Sequence, residues 1–91
     1  MSIRVKIYST AVCPICDKAK NLLSKWRIAY EEIRIDEDHG GLREMAKITH
    51  GARTVPQITI DGSWIGGFSE LTELHMDGAL DHLMLANKNI V

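Results

Sequence analysis

Residues 3–36, IRVKIYSTAVCPICDKAKNLLSKWRIAYEEIRID, decide the fold of this chain, because two strand patterns flank a helical one. Apolar and polar residues alternate from Ile3 to Tyr8, which predicts a strand. From Pro14 the apolar residues recur at helical spacing: Cys16, Ala19, Leu22, Leu23 and Trp26. Alternation returns from Tyr30 to Asp36. Two strands joined by such a helix predict a parallel βαβ unit with a right-handed crossover.

The middle of the chain predicts a second helix and a hairpin. Residues 38–41 are expected to form a turn, and residues 42–48 a short helix that ends near Gly51. Residues 55–60 predict a strand, and Asp61-Gly62 is a strong signal for a two-residue hairpin turn. Residues 63–65 then form the partner strand.

The C-terminal part predicts two more helices. One is expected to begin near Ser69, and the other follows Gly78 and carries Leu80, Leu83, Met84 and Leu85. The resulting order is β-α-β-α-β-β-α-α. It predicts an α/β chain with a four-stranded mixed sheet and helices on both faces, an arrangement that resembles the thioredoxin fold.

Composition limits the classes of function. With 91 residues, the chain is expected to be a single domain over residues 1–91. The net charge is -1 without a run of like charges, so neither a nucleic acid nor an anionic membrane is expected as a partner. No apolar run is long enough for a signal sequence or a membrane span, and a cytoplasmic location is expected.

The two cysteines, Cys13 and Cys16, lie at the predicted junction between the first strand and the first helix. Backbone N–H groups at a helix start favour a thiolate, so we expect a lowered pKa for Cys13. Cys16, one turn further on, can attack a mixed disulfide formed at Cys13. The alternatives are a zinc half-site and two inert core cysteines. Zinc would need two more ligands, and the histidines have the wrong spacing for it.

Two further motifs have both a structural and a functional interpretation. Pro56 can begin a strand in the ordinary trans form, or a cis Val55–Pro56 bond can leave the backbone of Val55 free to pair with a bound peptide. In Gly66-Gly67-Phe68-Ser69-Glu70-Leu71, Ser69 and Glu70 can simply cap a helix. Alternatively, the helix start binds a carboxylate while Glu70 receives an ammonium group.

Together, CPIC at residues 13–16, GARTVPQI at residues 51–58 and GGFSEL at residues 66–71 resemble the glutaredoxin family, and in particular the short bacterial dithiol glutaredoxins. The resemblance extends over nearly the whole chain. It implies a thioredoxin fold, a cis Pro56, glutathione as the reductant and no tightly bound cofactor.

The resemblance also implies roles for individual residues. Cys13 would be the nucleophile and Cys16 the resolving thiol, and the two would form the redox disulfide. The positions implied to bind glutathione are Thr10, Cys13, Ile15, Arg43, Thr54, Val55, Pro56, Gly67, Ser69 and Glu70. Among these, Val55 would pair with the cysteinyl part, Gly67, Ser69 and Glu70 would hold the γ-glutamyl end, and Arg43 would meet the glycyl carboxylate.

The chain departs from the family pattern at three of these positions. Ile15 stands where the family usually has Tyr, Thr10 where it often has Lys, and Glu70 where Asp is commoner. These changes affect the expected affinity and rate rather than the expected chemistry.

Three functions follow as hypotheses. The first is a monomeric enzyme that uses glutathione to reduce protein–glutathione mixed disulfides and protein disulfides such as that of ribonucleotide reductase. The second is an enzyme reduced by thioredoxin reductase, against which the Ser69–Glu70 pair argues. The third is a dimeric carrier of an iron–sulfur cluster held by two Cys13 thiolates and two glutathiones.

Overall fold

A computed structural model of the chain describes residues 3–84 and shows one mixed sheet with helices on both faces. The strands are β1 (Val5–Ser9), β2 (Tyr30–Arg34), β3 (Gln57–Ile60) and β4 (Ser63–Gly66). The helices are α1 (Pro14–Lys25), α2 (His39–Ile48) and α3 (Phe68–Met76), followed by one turn of 3-10 helix at Asp81–Leu83.

The sheet has the strand order β2-β1-β3-β4. β1 runs parallel to β2 and antiparallel to β3, and β3 runs antiparallel to β4. The predicted thioredoxin-like α/β fold with a four-stranded mixed sheet is therefore confirmed. α1 connects the two parallel strands, so Cys13, its N-cap, and Cys16, in its first turn, lie near the carboxyl end of the central strand β1.

The main core lies between the sheet and helices α1 and α3. Alternate residues of the central strands point into it, and its buried members are Val5, Ile7, Ala19, Leu23, Ile28, Ile58, Leu71, Leu80 and Leu83. The intervening residues of the central strands point to the other face of the sheet, which α2 covers. There the hydroxyl of the fully buried Tyr8 donates a hydrogen bond to Glu44 of α2. Burial, followed by this hydrogen bond, raises the pKa of the Tyr8 phenol well above its ordinary value.

Several boundaries differ from those expected. The strand predicted at residues 3–8 covers Val5–Ser9, the one predicted at 30–36 ends at Arg34, and the one predicted at 55–60 begins at Gln57. In the last predicted helix, residues 81–83 form a 3-10 turn, while Leu85 lies outside the described residues.

The turn predicted at residues 38–41 is wrong, because α2 already begins at His39. Asp38 is the N-cap, and its side chain accepts a hydrogen bond of 3.0 Å from the N–H of Gly41. Gly41 is buried so close to Ile33 of β2 that a Cβ would overlap the Ile33 side chain. The glycines that suggest a turn in the sequence thus allow the helix to pack closely on the sheet.

Candidate active site

Cys13 occupies the N-cap position of α1, with extended backbone angles before the first helical turn. Pro14 follows at the start of the helix, where a missing N–H is not needed. The N–H of Cys16 points at the sulfur of Cys13, with a nitrogen–sulfur distance of 3.1 Å. The helix start therefore places a backbone donor and the positive end of the helix dipole at this sulfur.

Cys13 and Cys16 are joined by a disulfide, with their Cα atoms 5.2 Å apart. Their environments differ, since Cys13 is half-buried while Cys16 is 0% exposed. Ile15 and Val12, which flank Cys13 at the surface, are 51% and 91% exposed. A partner thiol that approaches the disulfide from solvent therefore reaches Cys13 first.

The segment before β3 lies beside this sulfur. Cys13 Sγ is 3.9 Å from the carbonyl oxygen of Val55, and the Val55–Pro56 peptide bond is cis, as the family resemblance implies. Pro56 is buried, Val55 is half-buried and Thr54 is exposed. The structure thus brings together two of the sequence motifs, the cysteine pair and the residues that precede β3.

The third motif forms the start of α3, but its cap differs from the one expected. Gly67 is the N-cap and Ser69 lies within the first turn. The carboxylate of Glu70 reaches back and accepts a hydrogen bond of 2.8 Å from the N–H of Gly67. Gly66 has a φ of +113°, and a Cβ on it would lie 2.6 Å from Glu70 Cγ. Gly66 therefore leaves the space that the side chain of Glu70 occupies.

The remaining candidate residues are spread around these motifs. Thr10 is half-buried in the loop between β1 and Cys13, and Ser69 is exposed in the first turn of α3. Arg43 is exposed on α2. Within residues 3–84, none of these three side chains forms a hydrogen bond or an ion pair with the disulfide cysteines, so their part in ligand binding stays a prediction.

Asp36 fixes the loop in front of Cys13 and was not singled out in the sequence. Its carboxylate accepts a hydrogen bond of 3.2 Å from the N–H of Ala11 and pairs with Arg34 at 2.8 Å. The hydrogen bond from Arg34 lowers the pKa of Asp36 to about 2, so its carboxylate stays ionised at neutral pH. The Arg34-Ile35-Asp36 spacing gives no local signal, because the contact depends on how β2 ends next to the loop.

Gln57 and Trp64 were also missed as parts of the site. Trp64 Nε1 donates to Gln57 Oε1 at 2.8 Å, and Gln57 Nε2 donates to the carbonyl oxygen of Thr54 at 3.0 Å. The sequence predicts the hairpin that carries Trp64, but it does not show the register that brings this side chain to Gln57.

The described part of the chain shows neither a cluster of metal ligands nor a membrane-spanning helix. Within residues 3–84, no group of three or more His, Cys, Asp or Glu side chains is placed to hold a metal ion. No helix in the same range combines the length and the apolar character needed to cross a membrane.

A disulfide between a half-exposed sulfur at a helix start and a buried sulfur one turn later can be opened from one side and closed again. On a sheet of this order, it defines a thiol–disulfide oxidoreductase with the thioredoxin-like fold. The chain belongs to the glutaredoxin family, whose family model, described as "Glutaredoxin", matches residues 5–65.

Relatives and solved structures agree with this assignment. The chain is 44% identical to Glutaredoxin 1 of Rickettsia typhi over 79 residues, which cover 86% of this chain and 76% of the relative. It is 42% identical to Glutaredoxin 3 of Escherichia coli K12 over 80 residues, covering 88% of this chain and 95% of the relative. A buckwheat glutaredoxin–glutathione complex has a TM-score of 0.76 and 29% identity, covering 97% of this chain and 82% of that one.

Proposed function

We propose that this chain is a glutathione-dependent thiol–disulfide oxidoreductase, with Cys13 as the nucleophile and Cys16 as the resolving thiol. The observation that carries the proposal is the backbone N–H of Cys16 directed at Cys13 Sγ from the first turn of α1. After reduction, the same donor favours the anionic form of this sulfur, which is the form that attacks disulfides.

The proposed reaction begins at the half-exposed Cys13. Its thiolate attacks the glutathione sulfur of a protein mixed disulfide, and the protein sulfur leaves as a thiolate that takes a proton from water. The thiolate of a second glutathione then attacks the sulfur of glutathione bound to Cys13. Oxidised glutathione leaves, and the Cys13 thiolate is restored. This route needs one cysteine of the chain.

A second route uses both cysteines for an intramolecular protein disulfide. Cys13 first forms a mixed disulfide with one substrate sulfur, releasing the other as a thiolate. Cys16 loses its proton and attacks Cys13, which releases the reduced substrate and leaves the Cys13–Cys16 disulfide. Two glutathione molecules then reduce this disulfide and become oxidised glutathione. Glutathionylated proteins and disulfide enzymes such as ribonucleotide reductase are the proposed partners.

Glutathione is proposed to lie between the two helix starts. The half-buried Val55, next to Cys13 Sγ, supports pairing of its backbone with the cysteinyl part, flanked by Thr54 and Pro56. The γ-glutamyl end is assigned to Gly67, Ser69 and Glu70. Because Glu70 Oε1 already accepts from Gly67, we assign Glu70 Oε2 to the ammonium group. We assign Arg43 to the glycyl carboxylate, and Thr10 and Ile15 to the border of the site.

The buckwheat glutaredoxin in the structure cited above was solved with glutathione, which supports glutathione as the ligand here. We further propose that residues 1–91 form a single domain, that the chain acts as a monomer without a tightly bound cofactor, and that it works in the cytoplasm. The Cys13–Cys16 disulfide consumes the thiolate that a bridging iron–sulfur cluster would need, so the redox reaction is the function favoured here.

The decisive experiment is turnover of a mixed disulfide between glutathione and a small thiol, coupled to glutathione reductase. We expect Cys13→Ser to abolish turnover and Cys16→Ser to retain it, because the first route does not use Cys16. Replacing glutathione and its reductase with thioredoxin reductase should give no turnover. Robust activity of the Cys13→Ser protein, or activity that depends on thioredoxin reductase, would overturn the proposal.

A further inference from the structure

A chain of hydrogen bonds connects the outer edge of the sheet to the segment beside Cys13. The indole of Trp64, on the edge strand β4, donates to Gln57 Oε1 at 2.8 Å. Gln57 Nε2 donates to both oxygen atoms of Thr54, at 3.0 Å to the carbonyl and 3.2 Å to the hydroxyl. We call these three residues the Trp64–Gln57–Thr54 chain.

The donors and acceptors in this chain have a single consistent arrangement. An indole N–H can only donate, and a backbone carbonyl can only accept. The residue between them must therefore accept on one side and donate on the other, which the Gln57 amide does. Gln57 is 6% exposed, so water has little access to replace the three hydrogen bonds of its amide. An unpaired donor or acceptor in this buried amide would cost free energy, which favours an intact Trp64–Gln57–Thr54 chain.

At its Thr54 end, the Trp64–Gln57–Thr54 chain reaches the segment beside Cys13. Thr54 directly precedes Val55, whose carbonyl oxygen lies 3.9 Å from Cys13 Sγ. Trp64 and Gln57 also line a groove of about 390 Å³ that continues to Gly67 and Glu70 at the start of α3. The indole is thus linked through Gln57 to one of the segments that the proposed function assigns to glutathione, and it lines the groove that reaches the other.

We propose that Trp64 is a positioning residue for the glutathione reaction. Through Gln57, it holds Thr54 and Val55 at the place where the substrate backbone binds, without itself touching the reacting sulfur atoms. This inference rests on the proposed use of glutathione. It predicts that loss of the Trp64–Gln57–Thr54 chain weakens substrate binding and leaves the chemical step at Cys13 unchanged.

The second tryptophan of the chain provides a matched control. Trp26, the C-cap of α1, is half-buried and stacks on His75 with ring centroids 3.8 Å apart. Trp26→Phe therefore makes the same chemical change at a tryptophan that takes no part in the Trp64–Gln57–Thr54 chain. Because the sequence contains two tryptophans, the Trp26→Phe protein also leaves Trp64 as the single indole fluorophore.

The kinetic test compares Trp64→Phe, Gln57→Leu, their double variant and Trp26→Phe with the wild type in the glutathione-coupled assay. We expect Trp64→Phe to raise KM for the mixed disulfide about threefold and Gln57→Leu about tenfold, as the loss of neutral hydrogen bonds implies. In every variant kcat stays within about twofold, because the helix start around Cys13 is unchanged. The double variant should match Gln57→Leu, since Trp64 acts through Gln57.

A second measurement does not use turnover. S-methylglutathione, which cannot react, should shift the emission maximum of Trp64 in the Trp26→Phe protein. The additional Gln57→Leu change should abolish this shift. Thermal unfolding of each variant checks that the fold is retained.

The outcomes separate the two proposals. Absence of turnover in the wild type overturns the proposed function. With an active wild type, the positioning role is overturned by any of three results: a KM for Trp64→Phe equal to that of Trp26→Phe, additive effects in the double variant, or no emission shift with S-methylglutathione.

Discussion

Replacing Gly66 with alanine tests how the turn before α3 shapes the candidate site. Gly66 has a φ of +113°, a conformation that a residue with a Cβ rarely adopts. The new Cβ would lie 2.6 Å from Cγ and 2.7 Å from Oε1 of Glu70. The side chain of Glu70 would have to move, and its hydrogen bond to the Gly67 N–H would be lost.

The expected cost has two parts. Alanine in a left-handed conformation costs about 1–2 kcal/mol. Loss of the Glu70 hydrogen bond at the helix start costs about 1 kcal/mol more. Gly66→Ala should therefore lower the free energy of unfolding by about 2–3 kcal/mol, which is a large part of the stability of a small domain.

Urea denaturation of four variants and the wild type separates the two parts. Gly62→Ala is the matched control, because Gly62 has a φ of +84° and, apart from its chain neighbours, no atom of the described residues lies within 4 Å of its Cβ position. It should cost about 1–2 kcal/mol, the backbone part alone. Glu70→Ala should cost about 1 kcal/mol. Combining Glu70→Ala with Gly66→Ala should add nothing to Gly66→Ala, because that variant has already lost the hydrogen bond.

Two results would refute this reasoning. If Gly66→Ala costs no more than Gly62→Ala, the contact with Glu70 contributes nothing. If the costs of Gly66→Ala and Glu70→Ala add fully, the two positions do not share the hydrogen bond.

Three further predictions concern stability. Tyr8→Phe removes the hydroxyl bonded to Glu44 and should cost roughly 1 kcal/mol in urea denaturation; an unchanged midpoint would contradict it. Arg34 lowers the pKa of Asp36 from 3.8 to about 2, so this pair stabilises the folded state above about pH 4. The stabilisation is lost as the pH falls toward 2 and the carboxylate is protonated. In the Asp36→Asn protein, the free energy of unfolding should therefore fall less steeply between about pH 4 and pH 2 than in the wild type. An equally steep fall would refute the stabilising role of the Arg34–Asp36 pair. Leu23→Ala empties a fully buried position and should cost about 2–5 kcal/mol; a loss below 1 kcal/mol would show that the core closes around it.

The parts of the fold that depend on local signals were predictable from the sequence. Cys13 and Pro14 mark the start of α1 because an N-cap and a first-turn proline act within a few residues. The alternating strands and the Asp61-Gly62 turn define the hairpin in the same way. These signals placed both cysteines at a helix start, which is the central feature of the candidate site.

The parts that depend on tertiary contacts were not predictable in this way. The sequence predicts a turn at Gly41, yet Gly41 lies inside α2, where the absence of a side chain lets the helix pack closely against Ile33. The contact between Trp64 and Gln57 depends on the pairing of Trp64 with Thr59 across β3 and β4, a register that sequence periodicity does not reveal. The sequence favours Ser69 as the cap of α3, because serine is a common cap residue. In the structure the N-cap is Gly67, and Glu70 accepts the hydrogen bond of its N–H from within the helix.

The strand order makes β2 and β4 the edge strands of the sheet. The outer backbone N–H and C=O groups of an edge strand can pair with a strand from another molecule. Charged side chains of Glu31, Glu32 and Arg34 line the five-residue β2. On the other edge, β4 has four residues and an irregular register with β3. Short, charged or irregular edge strands disfavour pairing with a strand of another molecule, so β2 and β4 protect the protein against edge-to-edge aggregation.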